Sequence, residues 1–247
     1  MLNLFSLSEK KILITGASSG IGKATAILAS KNDASIIIQA RNEERLESCF
    51  SELNSDKLNA KIIGDLSNES DLDDIVDKSP NLDGIVLNAG IVKLAPISFI
   101  KKGDLDLLFE VNIKSSILLI QKLLKSKKIN KGCSIVFVSS IASQKVTIGN
   151  SVYAATKGAI NSFTKALALE LSPKKIRVNA ILPGFVQTNI LGTEQNEEDL
   201  KKHLNNYPLG RFGEVDDIAY LIQYLLSNES SWMTGNLIPI DGGFSIK

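Results

Sequence analysis

Residues 11–31 read KILITGASSGIGKATAILASK, and the order of patterns within them decides the fold. Lys11–Thr15 is a short apolar run of β-prone residues, residues 16–22 are a glycine turn, and KATAILASK repeats apolar residues at helical spacing. Strand, glycine turn and helix together open a βαβ unit. Glycines at such a turn let the backbone approach a ligand closely. The free N–H groups and positive dipole end of the helix then favour a pyrophosphate. Gly16, Ser18, Ser19, Gly20, Ile21 and Gly22 are therefore candidate dinucleotide contacts, the plainer alternative being a tight turn with close helix packing. The spacing is G-x-x-x-G-x-G rather than G-x-G-x-x-G.

Outward from this stretch, SIIIQA at 35–40 is a second strand that ends in Gln39-Ala40-Arg41-Asn42. A carboxylate there would grip a ribose 2′-hydroxyl. Arg41 offers instead a guanidinium that can pair with a 2′-phosphate and stack on adenine, which favours NADP(H) over NAD(H). The alternative use of Arg41 is pairing with Glu44 on the next helix, for which Asn42 is a suitable N-cap. AKIIG at 60–64 is a third strand leading to Asp65-Leu66, followed by a helix from about Glu69 to Lys78. Asp65 stands at a strand's carboxyl end, where ligands gather in open α/β sheets; it suits an adenine amino contact or a cap. DGIVLNAG at 83–90 is a fourth strand ending in Asn88, Ala89 and Gly90.

Residues 104–128 read as one long amphipathic helix with Asn112 among its apolar positions, where a buried amide needs a partner. CSIVFVSS at 133–140 brings Ser140 to a strand end, and a helix over 153–171 carries Tyr153 and Lys157. Four residues apart, these two share a helix face. A phenol holds its proton until pH ~10, so a tyrosine working near neutrality needs a neighbouring cation, which Lys157 could supply. Taken alone, the pair equally describes a helix start with a packed tyrosine and a solvated lysine. A sixth strand at 176–182 runs to Pro183, Gly184, Val186 and Thr188, residues 189–211 form a polar lid segment, and a helix over 215–226 precedes a last strand at 235–241.

The 247 residues are 44% hydrophobic and 22% charged, with a net charge of +1, and form one expected domain without a nucleic-acid-binding or membrane-spanning character. MLNLFSLSEKK lacks a secretory apolar core, which leads to a cytoplasmic expectation. Cys49 and Cys133 form no metal or disulfide pattern, and the lone His203 in a charged stretch argues against metal or Ser-His-Asp chemistry. Alternating strands and helices specify a parallel sheet of about seven strands with helices on both faces.

With T-G-x-x-x-G-x-G at 15–22, Asp65, Asn-Ala-Gly at 88–90, Asn112, Ser140, Y-x-x-x-K at 153–157 and Pro-Gly with Thr188, the chain resembles the short-chain dehydrogenase/reductase family from Lys11 to Phe244. The resemblance implies a Rossmann-type doubly wound α/β domain and hydride transfer between a nicotinamide and a carbonyl or secondary alcohol. It implies Tyr153 as general acid/base, Ser140 as a hydrogen-bond partner of the substrate oxygen, and Lys157 as the group that lowers the tyrosine pKa and holds the nicotinamide ribose. Asn112 would support a water-linked proton path to Lys157. Thr188 and the backbone near Val186 would bind the carboxamide. Two positions depart from the family pattern: Leu87 replaces a first asparagine, and Ser19 stands where many NADP-preferring members carry a basic residue. PGFVQTNI, PLGRFGEVDDIAYLIQYLLS and the DGG ending are nearest to bacterial 3-oxoacyl-acyl-carrier-protein reductases, although the segment after Gly90 lacks their R-D-x-L-L-M run. An acyl carrier would be met by a basic patch of lysines 125, 127, 128, 131, 174 and 175. An NAD-dependent sugar or polyol dehydrogenase and a catalytically silent dinucleotide-binding regulator are the alternatives. Family resemblance also implies a homotetramer.

Overall fold

The computed structural model describes residues 4–187 and 203–247. Seven strands, β1 (Lys11–Thr15), β2 (Ser35–Ala40), β3 (Ala60–Ile63), β4 (Leu82–Leu87), β5 (Ile129–Val138), β6 (Arg177–Pro183) and β7 (Leu237–Ile240), form one sheet in the order β3-β2-β1-β4-β5-β6-β7. Every pairing is parallel. The order reverses between β1 and β4, and a crevice therefore opens beyond the carboxyl ends of these two strands.

Strand alternation distributes the core to two faces. Leu13, Ile37, Ile85 and Ile135 pack with helices α3 (Glu69–Lys78), α5 (Ser115–Lys125) and α6 (Ser151–Leu171). Ile12, Ile14, Ile36 and Ile38 pack on the other side with α1 (Gly20–Lys31), α2 (Glu43–Phe50) and α7 (Val215–Leu226). Thus the first and last of these helices lie together on one face. Gly84 of β4 permits this: a Cβ there would lie 2.9 Å from Leu226. The carboxyl end of α7 is held by cations, as its exposed carbonyls and dipole require. Lys10 Nζ donates to Leu226 O at 2.8 Å, and Arg177 Nη2 donates to Leu225 O and Ser227 O.

The single long helix expected over 104–128 is instead three pieces. Helix α4 (Lys102–Phe109) passes through a π-turn (Glu110–Lys114) into α5. Val111, Asn112 and Ile113 are all buried, and three consecutive residues of a regular α-helix fan too widely to share one face. The segment is therefore covered on more than one side. Leu87, the departure in the Asn-Ala-Gly motif, points into the core at 4% exposure.

Candidate active site

The glycine turn is built for close approach. Gly16 and Gly20 have φ of +65° and +54°, and a Cβ on Gly22 would lie 2.4 Å from Gly16 O and 2.5 Å from Asn88 Nδ2. Gly22 therefore serves packing of α1 against the turn. Asn88 Nδ2 donates to Thr15 O and Gly16 O, each at 3.1 Å, while Thr15 Oγ1 accepts from the Asn88 and Ala89 N–H groups. The two strand ends flanking the crevice are tied into one rim. Asn42 and Asn68 cap α2 and α3 with their side chains, whereas Ser19 makes no side-chain cap on α1, and the first turn of α1 holds no acid. The α1 N-terminus is left to an external acceptor.

This terminus opens on a cleft of about 320 Å³. Gly16, Ser18, Ser19, Gly20, Ile21, Arg41, Asp65, Leu66, Asn88, Ala89 and Gly90 line it, as expected of a dinucleotide site, together with Gln39, Ala40, Asn42, Arg45, Ile91 and Val111. Arg45 was missed by the sequence reading; its signal was its place three residues after the N-cap Asn42, whose Oδ1 accepts from Arg45 N at 2.8 Å. Arg41 pairs with neither Glu44 nor a helix neighbour but with Asp65, at 3.3 Å on the surface. Burial acts to raise the Asp65 carboxyl, and the Ser67 N–H and hydroxyl together with Arg41 outweigh it, holding the group below its ordinary range.

Beyond Gly90, at the edge of this cleft, lie the residues expected to handle the proton. Ser140 stands just beyond β5, its Oγ accepting from Ala142 N at 3.1 Å. Ser139 anchors α6 beside it by donating to Lys157 O at 3.1 Å and Asn161 Oδ1 at 2.8 Å. Burial raises the Tyr153 phenol, and the adjoining Ser140 hydroxyl acts in the opposite direction. Lys157 is 5% exposed, donates to Val138 O at 2.9 Å and lies 5.8 Å from the centroid of the Tyr153 ring. Burial lowers its ammonium to about 8. Asn112 Oδ1 accepts from Ile91 N at 2.8 Å, and its Nδ2 donates to Ile91 O and Thr156 Oγ1. A Cβ on Gly90 would fall 3.2 Å from Asn112 Oδ1 and 3.5 Å from Lys157 Nζ. Asn112, Gly90, Lys157, Tyr153 and Ser140 are thus neighbours in series, and Gly90, which also lines the cleft, joins them to it.

Pro183, Gly184 and Val186 sit at the carboxyl end of β6, outside the lining of the described cleft. A Cβ on Gly184 would come within 2.9 Å of Asp241 Cα, and Val186 bridges to Gly213. Thr188 and the part of the expected lid segment up to residue 202 lie outside the described residues. From 203 onward the segment packs: His203 sits among Phe185, Tyr207, Phe212 and Phe244 rather than on a charged surface. The lysines at 125–131 and 174–175 lie at the amino ends of β5 and β6, the opposite end of the sheet from Ser140. Within one chain they do not border the cleft.

A protein family described as enoyl-(acyl carrier protein) reductase matches residues 16–245. The chain is 37% identical to L-xylulose reductase of Caenorhabditis elegans over 246 residues, with 98% of each chain covered. It is 38% identical to the 3-oxoacyl-acyl-carrier-protein reductase FabG of Thermotoga maritima, covering 97% of this chain and 99% of that one. Among solved structures, a short-chain dehydrogenase/reductase from Serratia marcescens superposes with a TM-score of 0.90 at 28% identity, over 97% of this chain and 99% of the other. A short-chain dehydrogenase family protein from Francisella tularensis does so at 0.84 and 33% identity, over 96% and 99%.

Proposed function

The chain belongs to the short-chain dehydrogenase/reductase family, and on that premise we propose that it is an NADP(H)-dependent carbonyl reductase acting on a 3-oxoacyl thioester. The observation that carries the reading is the series of neighbours Ser140, Tyr153, Lys157 and Asn112 beside the dinucleotide-shaped cleft.

The residues present fit a dinucleotide. The α1 N-terminus suits a pyrophosphate, small residues at 88–90 leave room beside the sheet, and Arg41 suits a 2′-phosphate. A bound nicotinamide would supply the hydride. Tyr153 holds its proton at neutral pH and donates it from the phenol oxygen to the oxygen developing negative charge. Ser140 hydrogen-bonds the same oxygen and orients it. Lys157, charged below about pH 8, stabilises the tyrosinate left behind and holds the ribose next to Gly90. Asn112 carries a water-linked path that restores the proton. Pro183, Gly184 and Val186 are assigned to the nicotinamide end.

The acyl thioester is favoured by the mouth of the site. Leu94, Ile97 and Phe99 on one loop and Val146 and Ile148 on another are exposed apolar residues, and Ala95 N donates to Gly149 O at 2.7 Å to join the two loops. Val146 and Ile148 lie between Ser140 and Tyr153 in the chain. An apolar mouth suits an acyl tail better than a polyhydroxylated sugar. The keto-sugar reading is kept by the L-xylulose reductases among the relatives and by the placement of the lysines away from the cleft. No helix among the described residues is long and apolar enough to cross a membrane. On the family resemblance, we propose a cytoplasmic homotetramer.

The test is NADPH oxidation with a panel that includes a 3-oxoacyl thioester and keto-sugars. Tyr153→Phe should leave NADPH affinity nearly unchanged and lower kcat by at least ~100-fold. Undiminished turnover in that variant would remove Tyr153 from the chemistry. NADPH binding without oxidation by any carbonyl would favour the silent regulator.

A further inference from the structure

We propose that Arg45 is a second specificity-determining cation, acting with Arg41 on the 2′-phosphate of the cofactor. The inference rests on the NADP(H) reading above and concerns how this chain achieves that preference.

Charge in the adenosine corner of the cleft defines the problem. A phosphate monoester carries about −1.5 to −2 at neutral pH. Ser19, on the glycine turn, contributes a hydroxyl and no charge. Arg41 is exposed and already shares its guanidinium with Asp65 at 3.3 Å. A single cation partly neutralised by a carboxylate is a weak basis for distinguishing the phosphorylated from the unphosphorylated ribose.

Arg45 supplies what is missing. It lines the same cleft as Arg41, Asn42 and Asp65, and its side chain is exposed. Its position is set by the cap: Asn42 Oδ1 takes the Arg45 N–H at 2.8 Å, which starts α2 immediately after the tip of β2 and puts the two arginines on either side of the cap residue. Among the described residues the ion pairs of this corner are Arg41–Asp65 and Lys61–Glu47, and neither engages Arg45. Glu43 and Glu44 in the same first turn already answer the helix dipole, so it is its place in the cleft lining, and not the dipole, that suits Arg45 to an anion. Two planar guanidiniums can hold three phosphate oxygens with paired N–H donors, while an unphosphorylated ribose offers neither charge nor acceptors to reward them.

The full-length protein would be titrated calorimetrically with 2′,5′-ADP and with 5′-ADP as probes, in wild type, Arg41→Ala, Arg45→Ala and Arg45→Lys. Wild type should prefer 2′,5′-ADP by at least ~10-fold, the scale of one charge-assisted contact. Arg45→Ala should weaken 2′,5′-ADP by about 10-fold and 5′-ADP by less than about 2-fold, with Arg45→Lys recovering part of the loss. Unchanged 2′,5′-ADP affinity in Arg45→Ala, with preference lost only in Arg41→Ala, overturns the role of Arg45 and leaves the NADP(H) reading standing. Equal weakening of both probes shows a structural role in α2 and likewise overturns it. A wild type indifferent to the 2′-phosphate overturns both readings together.

Discussion

Lys157 shows how burial prepares a side chain for chemistry and what that does to stability. Its folded-state pKa of about 8 lies below the ordinary 10.5, so between these values the unfolded chain binds the extra proton. Stability contributed by this residue therefore grows as pH rises through that window and is lowest below about 8. Replacing Lys157 with Met removes the buried charge. We expect Tm at pH 7 to rise by roughly 3–8 °C, an advantage that shrinks toward pH 10, as scanning calorimetry would read. In the proposed mechanism the same ammonium assists Tyr153 only while protonated. Carbonyl reduction should consequently fall above about pH 8 in wild type, and the far slower Lys157→Met should lack that limb in its kcat/KM profile. The Tyr153–Lys157 spacing was legible because helix geometry turns four residues into one face. Arg45 was not, because its relevance depends on where β2 stops and α2 begins, and a charged residue on a helix surface carries no periodic signature.

Helix α1 with its glycine turn and the interrupted α4–α5 connection are the elements that shape the site. A methyl on Gly22 has no space between Gly16 O and Asn88 Nδ2. Gly22→Ala should lower stability by about 1–3 kcal/mol and weaken NADPH binding, measurable by denaturant melts and by nucleotide titration. Asn112→Leu keeps side-chain volume but strands the Ile91 N–H and C=O; about 2–4 kcal/mol of stability should be lost, with kcat reduced because Ile91 and Gly90 shift. A stable, fully active Asn112→Leu protein would mean the π-turn is held by packing alone. The strands around the glycine turn were legible to the residue, since KILIT and SIIIQA are bounded by sharp composition changes. The π-turn was invisible for the opposite reason: Leu108, Val111, Ile113 and the α5 core residues keep the apolar pattern nearly continuous across it, and one extra residue per turn disturbs the period too little to register.

For the molecule as a whole, alternation of strand and helix patterns was enough to predict the parallel sheet and both helix layers, because a parallel connection needs a crossover and the helices supply it. Which surfaces would meet other copies in the proposed homotetramer was not legible from periodicity, since an amphipathic helix shows only one apolar face clearly. In the fold, Leu105, Leu107 and Phe109 of α4 and Ile117 of α5 remain exposed, as do Leu169 of α6 and Trp232. We expect light scattering to find four chains per particle and Phe109→Asp to yield smaller species. A monomeric wild type would show that these faces have another use.

The packing of α1 against α7 has a consequence for how the chain comes into being. The two helices that close one face of the sheet emerge from the ribosome far apart in time, roughly 10–40 s at about 5–20 residues per second. Until α7 arrives, the floor formed by Ile12, Ile14, Ile36 and Ile38 has only part of its cover. Between the emergence of β6 and that of α7 the nascent sheet is therefore half-roofed, and yield in the cell should depend on chaperones more than the stability of the finished fold would indicate.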